Sequence, residues 1–583
     1  MPSNFDSHKA DLALCLRERF FAVRTLNFHE LKKFKGKRIV AGWRIELHEE
    51  SCLLDLLIDS AFPFSHIQVA YAGKDRYLSW PHVEENNYLC LPIEGWLPSE
   101  NISYSVDERV RQAVELIKNC SDTEYIKSES AAEFVSYWAR DSRLSLTSII
   151  DLENRHPRRV TVASTVSLQV IGENEQAVTT WLEKQNIQQV QLNNHACFCF
   201  ISKPPTLPLP KNSKHFLDWL LTQEPQLASL IKRVFDLKQD FFLVLASENE
   251  KGVGLIGARL SKIPKNGFTL PSRKGGSGHK SALAILKFVS RYEAAKVMRA
   301  DGAWVHGRGH NENYNLLKNA KVILLGCGSL GSHVANMLAQ SGVGSLTLVD
   351  PECLDYSNVG RHILGVNSVN KSKAEELKCY LSEHYPHSSF QAYACSVEKL
   401  SSKDKDFFAD AALIISCIAE PAVDLSFNAW YMDNLIKLPI IYGWIGTKGC
   451  TGIALALNSS GPSLSCFIES DGAFKKQSVE FDDDGALQAE PGCGTMFQPY
   501  GPLTTNQVAL LVGRLSLDLI TADNIKTRLP LQRVYACSTK ELEQLGGQWT
   551  KEHTRYRPSG YDGSMEYELK LDFCGDCINC KSH

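Results

Sequence analysis

Residues 322–361 read V-I-L-L-G-C-G-S-L-G-S, then a helical stretch, then S-L-T-L-V-D-P-E-C-L-D-Y-S-N-V-G-R. The four apolar residues Val322 to Leu325 predict a buried parallel strand. Gly326, Gly328 and Gly331 follow as G-x-G-x-x-G. The first two let the backbone turn tightly and approach a phosphate, and the third lets the next helix pack on the strand. The N-terminus of that helix is a preformed anion site. A second strand ends at Asp350, about 20 residues on, where a carboxylate can take a ribose hydroxyl. The stretch therefore predicts an α/β domain that holds a nucleotide on its glycine loop.

Asn358, Arg361 and Lys373 narrow the nucleotide. A nicotinamide site has no task for an Asn and an Arg beyond the ribose acid, nor for a Lys in K-S-K-A. A triphosphate site has one: Arg361 and Lys373 can neutralise phosphates, and Asn358 can hold the turn that presents them. The pattern D-x-x-x-x-x-x-S-N-x-x-R followed by K-x-K-A, within residues 300–520, resembles the adenylation domain of ubiquitin-activating (E1-like) enzymes and their sulfur-carrier relatives. The resemblance implies a Rossmann-like adenylation domain using ATP and Mg2+. It also implies Asp350 on the ribose, Arg361 and Lys373 on the phosphates, and Arg308 in H-G-R-G-H as the arginine supplied from a partner subunit. The family usually has a magnesium-holding acid after the next strand. Here that strand, A-A-L-I-I-S-C, runs into Ile418, Ala419, Glu420 and Pro421. Glu420 takes the acid's place, with Asp424 one turn later as the alternative.

A second motif lies near the N-terminus: L-S-W-P-H-V-E-E-N-N-Y-L-C-L-P-I-E-G-W-L-P, residues 78–98. It resembles the active-site segment of ubiquitin-conjugating (E2-like) enzymes, in which a P-N-V step precedes a C-L dipeptide and a Trp-Pro step follows. Pro81, His82 and Val83 stand at that spacing from Cys90, with Trp96 and Pro98 beyond. His82 occupies the place of the family's Asn, and an imidazole N–H can support an oxyanion in the same way. The flanks fit such an α+β domain: a helix over residues 8–22, strands over 38–48 and 51–59, and helices at 105–119 and 130–139.

Cys493 is the second candidate thiol, in Q-A-E-P-G-C-G-T-M-F-Q-P-Y-G-P. Gly, Pro and Thr predict a loop here. A cysteine between two glycines is sterically open, as a transferring thiolate must be. Activating enzymes that form thioesters carry their cysteine in this part of the chain. Together, the resemblances imply a relay in which an adenylated carboxylate passes to Cys493, then to Cys90, then to a target amine.

Composition sets limits. The chain has 583 residues, 63 Lys and Arg against 66 Asp and Glu, and 18 Cys. That length suits three domains: a conjugating domain at 1–150, an α+β linker domain at 151–290, and an adenylation domain at 291–583. A near-neutral charge without a basic stripe disfavours nucleic acid. No secretory signal and no membrane-length apolar run are evident, so a cytoplasmic protein with reduced thiols is expected. The middle segment carries no nameable chemistry and is read as a spacer and docking surface. Its Gly-rich basic run at 271–280 predicts an exposed loop. At the C-terminus, Cys574, Cys577 and Cys580 form C-x-x-C-x-x-C, a spacing that suits structural Zn2+; Cys537 or a terminal histidine would have to complete the set.

The order of the whole chain resembles the E1–E2 fusion proteins of bacterial CBASS antiphage operons. That implies a homodimer and, as acyl donor, the C-terminal glycine of the operon's cGAS-like nucleotidyltransferase. It also implies target proteins with acceptor lysines, whose conjugation primes antiphage signalling. Other readings stay open. A sulfur-carrier adenylyltransferase would share the nucleotide site but not need Cys90. A dehydrogenase would leave Arg361 and Lys373 without a task. A non-enzymatic scaffold would tolerate loss of every nucleotide contact.

Overall fold

In the computed structural model, Val322 to Leu325 lie in the strand Lys321–Leu325, inside an eight-stranded sheet. The order across this sheet is Ser389–Tyr393, Ser345–Val349, Lys321–Leu325, Leu413–Ser416, Ile440–Ile445, Thr451–Leu457, Leu531–Ala536 and Met565–Lys570. The first five strands run parallel and the last three join antiparallel. Chain order reverses on the two sides of Lys321–Leu325, and α/β sheets bind ligands at the carboxyl ends of strands at such a point. One face buries Val322, Leu324, Leu348 and Ile415 under the helices Ser329–Gln340 and Pro502–Thr521. The other buries Ile323, Leu325, Ile414 and Tyr442 against Pro421–Asp433. Burial on both faces explains the uninterrupted apolar strands.

The described residues are 5–34, 36–47, 52–93, 97–235, 239–262, 283, 286–287, 290–401, 406–469, 472–481, 488–489, 496–497 and 500–571. They form two compact units: residues 1–178 with 190–300, and residues 179–189 with 301–583. Cys493, Cys574, Cys577, Cys580, Trp96 and the 271–280 run lie outside the described residues.

The first unit opens with the helix Phe5–Arg19 and an antiparallel sheet of Val23–Thr25, Ile39–Leu47, Cys52–Asp59 and Gln68–Tyr71. Leu12 and Leu16 of that helix and Val106 and Ala113 of the helix Ile102–Asn119 pack on Trp43, Leu54, Leu56 and Val69. The expected helix at 130–139 resolves into two, Thr123–Ala132 and Phe134–Asp141.

The same unit contains a closed seven-stranded barrel, in the order Gly252–Lys262, Ser290–Arg299, Leu144–Ser148, Gln169–Gly172, Arg158–Ser164, Gln191–Phe200 and Phe241–Asn249. Leu146, Val162, Phe198, Val244 and Val297 form one buried cluster of its strands. The helices Ser213–Gln223 and Leu227–Val234 share a second cluster with Leu243 and Ile256. Divisions at residues 150 and 290 do not follow the barrel, because Leu144–Ser148 pairs in parallel with Ser290–Arg299. That pairing joins distant parts of the chain, so no local change in composition marks it. Among the described residues no helix is long and apolar enough to cross a membrane.

Candidate functional site

The glycine loop shows what each glycine is for. Gly326 has φ +85°, and a Cβ there would come within 2.8 Å of the Cys417 carbonyl. A Cβ on Gly331 would lie 1.9 Å from the Gly326 carbonyl oxygen, so helix and loop touch only without one. Gly328 differs: a Cβ there would meet nothing within 4 Å. It caps the helix Ser329–Gln340 and lines a cleft of 680 Å³. Cys417, Ile418, Ala419, Trp444, Phe474 and Tyr500 also line this cleft.

Asp350 follows the strand Ser345–Val349 and is buried. Its two oxygens accept the N–H of Cys327 at 2.6 Å and of Glu352 at 2.8 Å. Burial raises its pKa above the ordinary carboxylate value, and those N–H groups and Lys373 oppose the rise. Each oxygen keeps a lone pair for a ribose hydroxyl. Asn358 completes a capping box with Asp355, whose N–H it accepts at 3.3 Å. It thus fixes the turn that carries Arg361. The Arg361 guanidinium lies over the Tyr500 ring at 5.2 Å and lines the cleft. Its buried Nε has no hydrogen-bond partner among the described residues. A buried donor without a partner is costly, and an anion in the cleft would supply one. Lys373, buried at the start of the helix Lys373–His384, pairs with Glu352 at 2.5 Å.

Of the nucleotide candidates, Gly328 and Arg361 line the cleft, and Asp350, Asn358 and Lys373 are not among its lining residues. Arg308 is exposed, with φ +52°, just after the short helix Gly302–Val305, and is not among the residues lining the cleft. Glu420 is exposed at the N-cap of Pro421–Asp433, between the cleft residues Ala419 and Pro421. Asp424 is 1% exposed and accepts the Ser416 hydroxyl at 2.5 Å. Burial pushes it up to about 7. Among the described residues no group of three or more His, Cys, Asp or Glu could hold a metal ion. Cys537 is buried, with its N–H on the Cys450 carbonyl at 2.8 Å. It follows Ala536, which pairs with Met565.

Cys90 is exposed and sits in a second cleft, of 570 Å³, with His82, Gln112, Asn119 and Tyr125. Its N–H donates to the His82 carbonyl at 2.8 Å. His82 itself has φ +56°, and its N–H donates to the Tyr137 hydroxyl at 2.9 Å. Its imidazole lies between two carboxylates, Glu129 at 3.1 Å from Nε2 and Glu133 at 3.7 Å from Nδ1. Although the residue is exposed, partial desolvation of its thiol by the cleft walls raises it above its ordinary value, and Glu84 and Glu133 add to the rise, while Arg140 and Lys37 oppose it. The resting group is therefore a thiol. The motif at 78–98 did not reveal Glu129, Glu133 and Tyr137. Their four-residue spacing, which places them along one side of a helical stretch, was the available signal.

Residues 306–544 match the model of the ThiF family, and residues 17–146 match that of Prokaryotic E2 family B. The chain thus joins a ThiF-family adenylation domain to a prokaryotic E2 domain and is an ATP-dependent enzyme of the E1–E2 fusion type. It is similar to the ATP-dependent ubiquitin transferase-like protein Cap2 of Pseudomonas aeruginosa, at 23% identity over 526 residues, 85% of this chain and 90% of that one. It is also similar to the protein of that name from Enterobacter hormaechei, at 27% identity over 213 residues. That match spans 35% of this chain and 33% of the relative. A crystal structure of Escherichia coli MccB with ATP aligns at 18% identity and a TM-score of 0.30, covering 46% of this chain and 68% of that one.

Proposed function

We propose that the enzyme activates a protein's C-terminal carboxylate and transfers it to an amine. A donor carboxylate oxygen attacks the α-phosphorus of ATP, and the bond to the pyrophosphate leaving group breaks. Cys493 attacks the acyl-adenylate, forming a thioester and releasing AMP. Cys90 takes the acyl group by thioester exchange, losing its proton to the returning Cys493 thiolate. A neutral lysine amine then attacks the thioester, an amide forms, and Cys90 regains a proton. Each cysteine divides one hard step into easier ones.

The observation that carries this reading is the partnerless Nε of Arg361, on the cleft wall that the open Gly328 shares. Arg361 and Lys373 would hold the phosphates, Asp350 the ribose, and Arg308 would come from a second copy in a homodimer. Magnesium on a nucleotide needs only one or two protein carboxylates, since phosphates and water supply the rest. Exposed Glu420 fits as one of them, with Asp424 as the alternative; the ion would offset phosphate charge. Zinc on Cys574, Cys577 and Cys580 belongs to the same proposal.

The similarity to Cap2 proteins favours a CBASS setting. The donor would then be the C-terminal glycine of a cGAS-like nucleotidyltransferase, and attachment to cellular targets would prime antiphage signalling. A sulfur-carrier adenylyltransferase would have no use for the E2-family region at 17–146. The test is a thioester assay: the chain, ATP, magnesium and a cGAS-like nucleotidyltransferase ending in glycine, run on gels with and without reducing agent. Wild type should form a thiol-sensitive adduct, Cys90→Ala should stop at Cys493, and Cys493→Ala should form none. Thioester on Cys90 in Cys493→Ala would remove Cys493 from the relay.

A further inference from the structure

We propose that His362 is a positioning residue, which aims the glycine-loop backbone at the phosphates of ATP. The inference rests on the adenylation reading above and deepens it. His362 is buried beside Arg361, and both of its ring nitrogens are engaged. Nδ1 faces the backbone N–H of Leu364 at 3.0 Å. A backbone N–H can only donate, so Nδ1 accepts and the proton resides on Nε2. Nε2–H then donates to the Cys327 carbonyl at 2.7 Å. Burial lowers the pKa of His362 to about 4, so the ring stays neutral in this tautomer at neutral pH.

Cys327 is thereby held on both sides. Its N–H goes to Asp350 at 2.6 Å, and its carbonyl goes to His362. The bond from Cys327 to Gly328 is not among the cis peptides. In a planar trans peptide the N–H points opposite to the C=O. Fixing the Cys327 carbonyl toward His362 therefore turns the Gly328 N–H the other way, at the residue that has open space beside it and lines the cleft. The turn that carries His362 is itself anchored to the glycine-loop helix. His333 Nε2 meets the Arg361 carbonyl at 3.2 Å, and the Ile363 N–H donates to the Ser332 hydroxyl at 3.4 Å. The His362 imidazole thus orients the loop's donor, while His333 and Ser332 fix the turn beside the glycine-loop helix.

The test uses the full chain and two probes, magnesium-ATP and adenosine, titrated calorimetrically into wild type, His362→Leu and His362→Gln. Leu fills the space without polar atoms, whereas Gln can donate to Cys327 and accept from Leu364. His362→Leu should weaken ATP at least about tenfold while adenosine changes by less than about twofold, and Gln should hold ATP within about threefold of wild type. Unchanged ATP affinity in His362→Leu overturns the proposal. So does equal weakening of ATP and adenosine, which is what general damage to the site would give. Should the Leu variant fail to fold, His362→Asn replaces it, since its amide is too short to span both bonds. Selective loss of ATP in Asn but not Gln supports the proposal, and equal ATP binding by both overturns it. If wild type binds no ATP, the adenylation reading itself falls, and this inference with it.

Discussion

The Tyr137 hydroxyl accepts the backbone N–H of His82 at 2.9 Å, and the His82 carbonyl in turn accepts the N–H of Cys90. Tyr137 is buried in the cluster that also contains the barrel residues Leu243, Ile256 and Ala258. Its neighbour Trp138 donates Nε1–H to the Gly257 carbonyl at 2.8 Å. The barrel core and the loop of Cys90 are therefore joined through the Tyr137 phenol. This gives the middle of the chain a physical task beyond spacing: it holds His82 in a left-handed backbone conformation that a non-glycine residue seldom adopts unaided.

Tyr137→Phe should therefore act on both stability and transfer. It removes the acceptor of a part-buried N–H, at a cost of about 1 kcal/mol. Denaturant unfolding of the full chain should register that loss. The rate of acyl transfer onto Cys90 should fall, while Cys493 still loads. Loading of Cys90 at the wild-type rate would show that the loop holds its shape without the phenol.

The Cys90 thiol should react as a hindered acid. Partial desolvation, then Glu84 and Glu133, raise its pKa above the ordinary value of 9.0. Alkylation of Cys90 by iodoacetamide, followed by peptide mass spectrometry, should still be accelerating with pH at 9. Glu84 also pairs with Lys37 at 2.6 Å and Arg140 at 3.6 Å. Glu84→Gln removes an anion and releases two cations, and both changes favour the thiolate. The alkylation profile should move to lower pH. A shift to higher pH would show that Glu84 does not hold the thiol up.

If Arg361 and Lys373 hold the phosphates as proposed, Arg361→Ala and Lys373→Ala should each reduce ATP–pyrophosphate exchange roughly 100-fold or more, because the leaving group loses countercharge. The two should differ in stability. Lys373 is buried against exposed Glu352, whereas Arg361 has a buried nitrogen without a partner. Losing Arg361 should leave the melting temperature close to wild type. Normal exchange in both variants would rule out adenylation at this cleft.

The sequence carried most of what is local. The glycine loop and Asp350 belong to one strand–helix–strand unit and the Asn358–Arg361 turn follows it closely, so spacing alone relates them. Cys90 and His82 share one short loop and were legible for the same reason. The carboxylates around His82 were not, because Glu129 and Glu133 come from a later helical stretch and meet the imidazole only through tertiary packing. The barrel was hidden more deeply. Its strands Leu144–Ser148 and Ser290–Arg299 pair across the length of the intervening domain, and strand pairing at that range leaves no periodic signal. His362 carries no spacing signal of its own in the sequence; only the two bonds to its ring reveal its place.

Asp424 gives a prediction with a definite sign. Its folded-state pKa, about 7, exceeds the ordinary aspartate value of 3.8 because the carboxyl is buried, with Ser416 and Trp444 opposing the rise. Below about pH 4 the group is protonated in folded and unfolded chains alike, and its favourable contribution is fully present. As pH rises toward 7, the unfolded chain gives up the proton and the folded one keeps it, so stability is lost. The ceiling on that loss, from the gap between 3.8 and about 7, is about 4 kcal/mol. Asp424→Asn stays neutral at every pH and can still accept from Ser416. Its melting temperature should therefore change less between pH 5 and pH 8 than that of wild type, with the variant relatively more stable at pH 8. An identical pH dependence would show that Asp424 ionises freely in the folded chain. In that case Asp424 would be as available as Glu420 to a magnesium ion, and pyrophosphate exchange in Glu420→Gln and Asp424→Asn would decide which carboxylate the metal uses.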